Sequence, residues 1–398
     1  MPTFLQPLHD VAVIENPTLA AADRRMPDDL GLFASLAAAL VGVGLLMVHS
    51  ASITSWPTDF EQIYLSRHLM RLSLGVVAAA ICAALPARFW FRAAPLLFAV
   101  TIVLLALVLI PGIGTRVNGA QRWLRYGPIS LQPSDVAKIA IPLLVCRLLS
   151  SHRDGLNHWL RGTLPLIAPA LVAVPLVLLE PDLGTSIFLA AGCGIALFAG
   201  GWPWRYFILS GVLSMTAFAA LVTIQPYQLR RVTGLLDAWS NFSQAPYQLQ
   251  QSLISLGAGG PTGVGLGKGW QKLSFLPEAN TDFVFAVVGE ELGLIGTLGL
   301  LVLWTGFYFA GLRLLRHLDR TTFAWLAGFT LLTQLALQAT LNMAVVTALV
   351  PPKGIPHPLI SYGGSNLVIS IATLGILVSL SREHSESAAI EDQPQSGA

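Results

Sequence analysis

Residues 93–110 read AAPLLFAVTIVLLALVLI, a run without a single charged side chain. A bilayer's hydrocarbon core of about 30 Å takes roughly 20 helical residues to cross, so this run has the length and composition of a membrane span. Working outward, nine more apolar stretches are separated by Pro, Gly or charge: 30–49, 68–85, 134–149, 163–179, 184–200, 204–224, 283–315, 323–350 and 359–380. The expected fold is all-α, a polytopic integral membrane protein of about ten helices.

Composition points the same way. Of 398 residues, 54% are hydrophobic and 11% charged. Water-facing domains carry about 25% charged residues, so this chain must be solvated by lipid. A net charge of +2 and the lack of a lysine-rich run argue against a nucleic-acid partner. Cys82, Cys146 and Cys193 each lie inside an apolar stretch with no CxxC pair, which reads as core packing without disulfide or metal chemistry.

The placement of arginines orients the chain. Arg24, Arg25, Arg88, Arg92, Arg147, Arg153, Arg161, Arg205, Arg313, Arg316, Arg320 and Arg382 fall on alternate connections, which puts both termini in the cytoplasm. Residues 1–29 then form a cytoplasmic tail without signal-peptide features, 30–380 the membrane domain, and 381–398 a polar cytoplasmic tail. The large connection 225–281 is expected outside. Bases on that side include Arg116, Arg122, Arg125, Arg230, Arg231, Lys268, Lys272 and Lys353. They are either tolerated charges of a long translocated loop or the holders of an anionic ligand. Amphipathic residues 247–256 and the glycine-dense run 257–269 call for a folded, membrane-lying element. No strand precedes the glycines and the compartment lacks ATP, so a nucleotide loop is rejected.

Polar residues at membrane depth narrow the search for chemistry. Asp135 and Lys138, at i and i+3, read as a structural pair. Gln334, Gln338 and Asn342 form a helical stripe suited to interhelical hydrogen bonds. Asp282 stands at the start of the eighth stretch, after Thr281 as an expected N-cap. On residues alone it is either a cap or a catalytic carboxylate. Glu290 and Glu291 are secondary candidates, and Glu180 and Asp182 read as turn residues. The proline-rich stretch 350–358, leading into Ser361-Tyr362-Gly363-Gly364-Ser365, is irregular backbone that must line a cavity or be buried in protein.

Several motifs together resemble the SEDS family (shape, elongation, division and sporulation). They are His49-Ser50-Ala51-Ser52, Asn118-Gly119-Ala120-Gln121-Arg122-Trp123, Gln132-Pro133-Ser134-Asp135-Val136-Ala137-Lys138 and Glu180-Pro181-Asp182-Leu183-Gly184-Thr185. Phe275-Leu276-Pro277-Glu278-Ala279-Asn280-Thr281-Asp282-Phe283, Gly289-Glu290-Glu291-Leu292-Gly293 and the stretch 351–365 complete the set. The chain departs from the family's usual residues at His49, Asn280, Asp135 and His357, and matches its paired loop arginines only at Arg231. Lys353 after the paired prolines and Gln271-Lys272-Leu273 look more like the division branch. Ile141-Pro142-Leu143-Leu144 looks more like the elongation branch.

The resemblance implies a peptidoglycan glycosyltransferase of the inner membrane that polymerises lipid II beside a class B penicillin-binding protein and other division or elongation proteins. It implies Asp282 as the catalytic residue. Candidate substrate contacts are Arg122, Arg231, Lys272, Lys353, Asn118, Ser361, Gln338 and Asn342. No covalent cofactor is expected, and Mg²⁺ or Mn²⁺ is admitted as a companion of the substrate pyrophosphate. The rival readings are a lipid II flippase, against which the lack of internal repeats counts, and a division scaffold without chemistry.

Overall fold

The structure, a computed structural model, describes residues 17–52, 59–117, 119–127, 129–151, 156, 158–273 and 275–383. Each of the ten apolar stretches contains a helix, although residues 347–350 and 359–364 of the last two stretches are irregular. The helices are α1 (Pro17–Ser52), α2 (Asp59–Ala84), α3 (Ala87–Leu109), α4 (Pro133–Ser151), α5 (Leu164–Leu179), α6 (Leu183–Ala199) and α7 (Trp204–Ile224), with α10 (Val284–Leu315), α11 (Phe323–Val346) and α12 (Ser365–Ser381) after the large connection. Six of them are long and apolar enough to cross a membrane: α1, α2, α3, α7, α10 and α11. Helices α5, α6 and α12 are apolar but shorter. Helices α4, α11 and α12 are buried along most of their lengths, and α10 is buried over its first turns and along one face beyond them. Helix α4 carries Asp135, Lys138 and Arg147 yet needs no lipid-compatible surface there, because its neighbours cover it. At the other extreme, α7 buries only Val222 and turns Ile208, Val212, Leu213 and Met215 outward, as a lipid-facing span must.

One feature goes beyond the sequence reading. The connection between α3 and α4 folds into a small antiparallel sheet, β1 (Gly114–Val117), β2 (Ala120–Tyr126) and β3 (Ile129–Leu131), in which Thr115 faces Trp123 and Leu124 faces Leu131. The 225–281 connection contains α8 (Pro226–Ser240) and α9 (Tyr247–Gly259), followed by the glycine-dense run.

That run has a structural purpose. Helix α10 breaks at Gly293, whose φ of 65° and ψ of −159° are not helical. The opened turn is filled by backbone from the glycine run. Val264 and Gly265 N–H donate to the carbonyls of Glu290 and Glu291, both at 3.0 Å. Leu294 and Ile295 N–H donate to the carbonyls of Gly260 and Pro261, at 2.9 and 3.1 Å. A Cβ on Gly263 would lie 2.1 Å from the Glu291 carbonyl oxygen, so only glycine allows the approach. Irregular backbone at this depth is satisfied by a second irregular backbone.

Candidate active site

The turn 278–283 leads from the large connection into α10. Thr281 is not the cap of that helix. The N-cap is Phe283, with no side-chain cap bond, and the Thr281 hydroxyl donates instead to Glu278 Oε2 at 2.8 Å. Asp282 therefore does not serve α10 as a cap. Its carboxylate is half-buried and rests against the backbone of Gly354, where an added Cβ would lie 3.2 Å from Oδ2.

Burial pushes the Asp282 carboxyl up to about 7, with Glu278 and Asp182 adding to the rise and Arg231 and Arg122 opposing it. These charges come from separate parts of the chain: β2 supplies Arg122, the α5–α6 turn Asp182, and α8 Arg231. Lys353 joins them from the irregular 347–364 segment. Its ammonium lies 5.8 Å from the Phe218 ring centroid on α7, and burial and Arg231 lower its pKa. A fixed carboxylate poised near neutrality beside three cations is suited to taking a proton while negative charge develops nearby.

The structure sorts the other candidates. Arg122 Nε and Nη2 donate to the carbonyls of Glu180 and Pro181 at 3.1 and 2.6 Å, and Nη1 lies 3.3 Å from Asp182 Oδ2. Asp182, read from sequence as a turn residue, also caps α6 by accepting from Thr185 N at 3.0 Å. Aspartate just before an apolar run was the available signal for that role. Glu180 is wholly buried, and burial with Asp182 pushes its carboxyl up to about 9, so it stays neutral beside the site.

Lys272 is a correction. It does not join the Asp282 cluster, because Glu291 inside the apolar core requires a counter-charge. Lys272 Nζ lies 2.6 Å from Glu291 Oε1 and 2.9 Å from Ser50 Oγ, with both charged side chains fully buried. Glu290 is committed as well, accepting from Trp270 N and Gln271 N at 2.7 and 3.1 Å. Asp135 and Lys138 pair at 2.8 Å, and Lys138 also donates to Asn366 at 3.1 Å. Gln338, proposed as a substrate contact, is spent on the Pro356 carbonyl at 2.8 Å and Asn366 Oδ1 at 3.0 Å. Asn342 and Ser361 likewise donate to backbone carbonyls. Asn118 lies outside the described residues. Sequence reasoning missed Gly354, and a glycine inside a proline-rich stretch gives no sign of which group it faces. Among the described residues no group of three His, Cys, Asp or Glu side chains is arranged to hold a metal ion.

The chain is similar to known proteins in sequence and in fold. Residues 31–386 match the cell cycle protein family of FtsW, RodA and SpoVE. A probable peptidoglycan glycosyltransferase FtsW of Saccharophagus degradans is 36% identical, over 90% of this chain and 94% of that protein. A chain from a solved peptidoglycan synthase complex, described for the structural coordination of polymerization and crosslinking, superposes with a TM-score of 0.72. It is 28% identical and the match covers 88% of this chain and 97% of that one. The rod shape determining protein RodA of Thermus thermophilus superposes with a TM-score of 0.64 at 28% identity, over 88% of this chain and 96% of its own. This multi-pass membrane protein belongs to the FtsW, RodA and SpoVE family of cell cycle proteins, and within it is FtsW-like.

Proposed function

We propose that this chain, a peptidoglycan glycosyltransferase by family and relatives, joins lipid II units into glycan strands with Asp282 as general base. The acceptor sugar's hydroxyl oxygen bonds to the anomeric carbon of the carrier-linked donor. The bond from that carbon to the pyrophosphate oxygen breaks, its electron pair leaves with undecaprenyl pyrophosphate, and the hydroxyl proton passes to Asp282. A positioned base of this kind contributes about 10² to 10⁴ in rate. Arg231 and Lys353 face the developing pyrophosphate charge, and Arg122 holds the 180–182 turn beside them. The reaction takes place at the outer face of the cytoplasmic membrane, with both termini cytoplasmic and a class B penicillin-binding protein as the crosslinking partner.

One observation carries the reading: a carboxylate at a helix entrance that caps nothing, with its pKa raised to about 7 among cations. Asp282→Asn keeps the size and removes the base. Glycan synthesis from labelled lipid II by the purified protein with its partner should fall by two or more orders of magnitude, with membrane insertion unchanged. Near-parental chain synthesis by that variant would end the assignment. In the same assay with the parent protein, flipping without polymer would indicate a transporter, and neither activity a scaffold.

A further inference from the structure

A general base works only when its oxygen is held close to the productive geometry, and a misplacement of about 1 Å can cost roughly 10²-fold. Asp282 sits in a turn, so helical hydrogen bonds do not fix it. Three successive carbonyls of that turn are each taken by a donor from elsewhere. Tyr362 N donates to Asn280 O at 2.8 Å, Ser361 Oγ to Thr281 O at 2.5 Å, and Asn342 Nδ2 to Asp282 O at 2.7 Å. The donors are themselves held. Ser361 Oγ accepts from His357 N at 2.8 Å, and Asn342 Nδ2 gives its second hydrogen to Ile355 O at 2.9 Å. Helix α2 clasps the Tyr362 ring, with the Arg71 guanidinium 4.9 Å and the His68 ring 6.0 Å from its centroid. The backbone of Gly354 lies against Oδ2.

A serine hydroxyl has one hydrogen and an asparagine amide two. All of these are spent on backbone, leaving none to donate to a sugar or a pyrophosphate. We propose that Asn342 and Ser361 are positioning residues, which fix the carbonyls of Asp282 and Thr281 and so aim the Asp282 carboxylate across the bare Cα of Gly354 without touching substrate. The proposal rests on the general-base reading of Asp282.

The test is steady-state kinetics on labelled lipid II, using full-length protein with its penicillin-binding partner. Asp282→Asn, Ser361→Ala, Ser361→Thr, Asn342→Ala and Gly354→Ala are compared with the parent. Ser361→Ala and Asn342→Ala should lower kcat by about 10- to 100-fold at unchanged KM. The acidic limb of their kcat profile should move to lower pH, because a loosened carboxylate gains water. Ser361→Thr keeps the hydroxyl and should recover most of kcat. Gly354→Ala places a methyl against Oδ2 and should lower kcat alone. It keeps every backbone hydrogen bond, so it carries the test should the Ser361→Ala or Asn342→Ala protein not purify. A rise in KM with kcat held, or a Gly354→Ala enzyme with parental kcat, would overturn the positioning role. An inactive Asp282→Asn enzyme beside those outcomes would leave the base reading standing, whereas an active one would remove both.

Discussion

Two clusters of acid and base sit ten residues apart in sequence and use the same chemistry to opposite ends. Lys272, Glu291 and Ser50 are sealed, paired at 2.6 to 2.9 Å, and fasten α1 to the loop and to α10. Around Asp282 the cations are spread over three elements and the carboxylate is left half-open with a raised pKa. A saturated pair contributes architecture, while an unsaturated group keeps capacity for a substrate.

The sharpest break of that contrast is Lys272→Met. Removing one member of a buried pair strands the other charge and costs about 3 to 5 kcal/mol. The melting temperature of the purified protein should fall steeply, and adding Glu291→Gln should restore much of it. If Lys272→Met melted like the parent while KM rose, Lys272 would belong with the substrate cations after all.

Next in size is Arg231→Gln, expected to weaken lipid II use by about 1.5 to 3 kcal/mol through one lost charged contact. Substrate titration should show it in KM. Arg122→Gln should lower the melting temperature as well, since Arg122 holds the 180–182 turn. An Arg122→Gln protein that melts like the parent would remove that structural role.

The smallest effect is on stability against pH. With its carboxyl raised to about 7, Asp282 keeps its proton in the fold at pH values where the unfolded chain has lost it. The folded state then binds more protons, so stability declines as pH rises from the ordinary carboxylate range through about 7. Activity runs the other way, because the base works only when ionised and kcat falls below pH of about 7. Asp282→Asn should lack that decline and melt higher than the parent at alkaline pH. Parallel melting curves across the range would show that the carboxyl does not carry this linkage.

The helices were legible because lipid imposes one rule on long segments, and six of the helices are long and apolar enough to obey it. The β1–β3 sheet was not, since Thr115, Arg116 and Trp123 lie in a short connection where pairing rather than hydropathy decides. Asp282 could be singled out by its position, but whether it capped α10 depended on where the helix begins, which Phe283 settles. Lys272 was misread because a base in a long connection looks exposed until the chain folds back onto Glu291. The carbonyl donors Asn342 and Ser361 were visible as polar residues, yet their targets are backbone atoms without a sequence signature.

The break at Gly293 also bears on biogenesis. Helix α10 cannot close its own hydrogen bonds across that turn, and the groups that complete it belong to residues 260–265. Those residues precede α10 in the chain, so the ribosome delivers them first. When the 284–315 segment enters the bilayer, the backbone that satisfies its opened turn has already been made, and chain order supplies the filler before the gap.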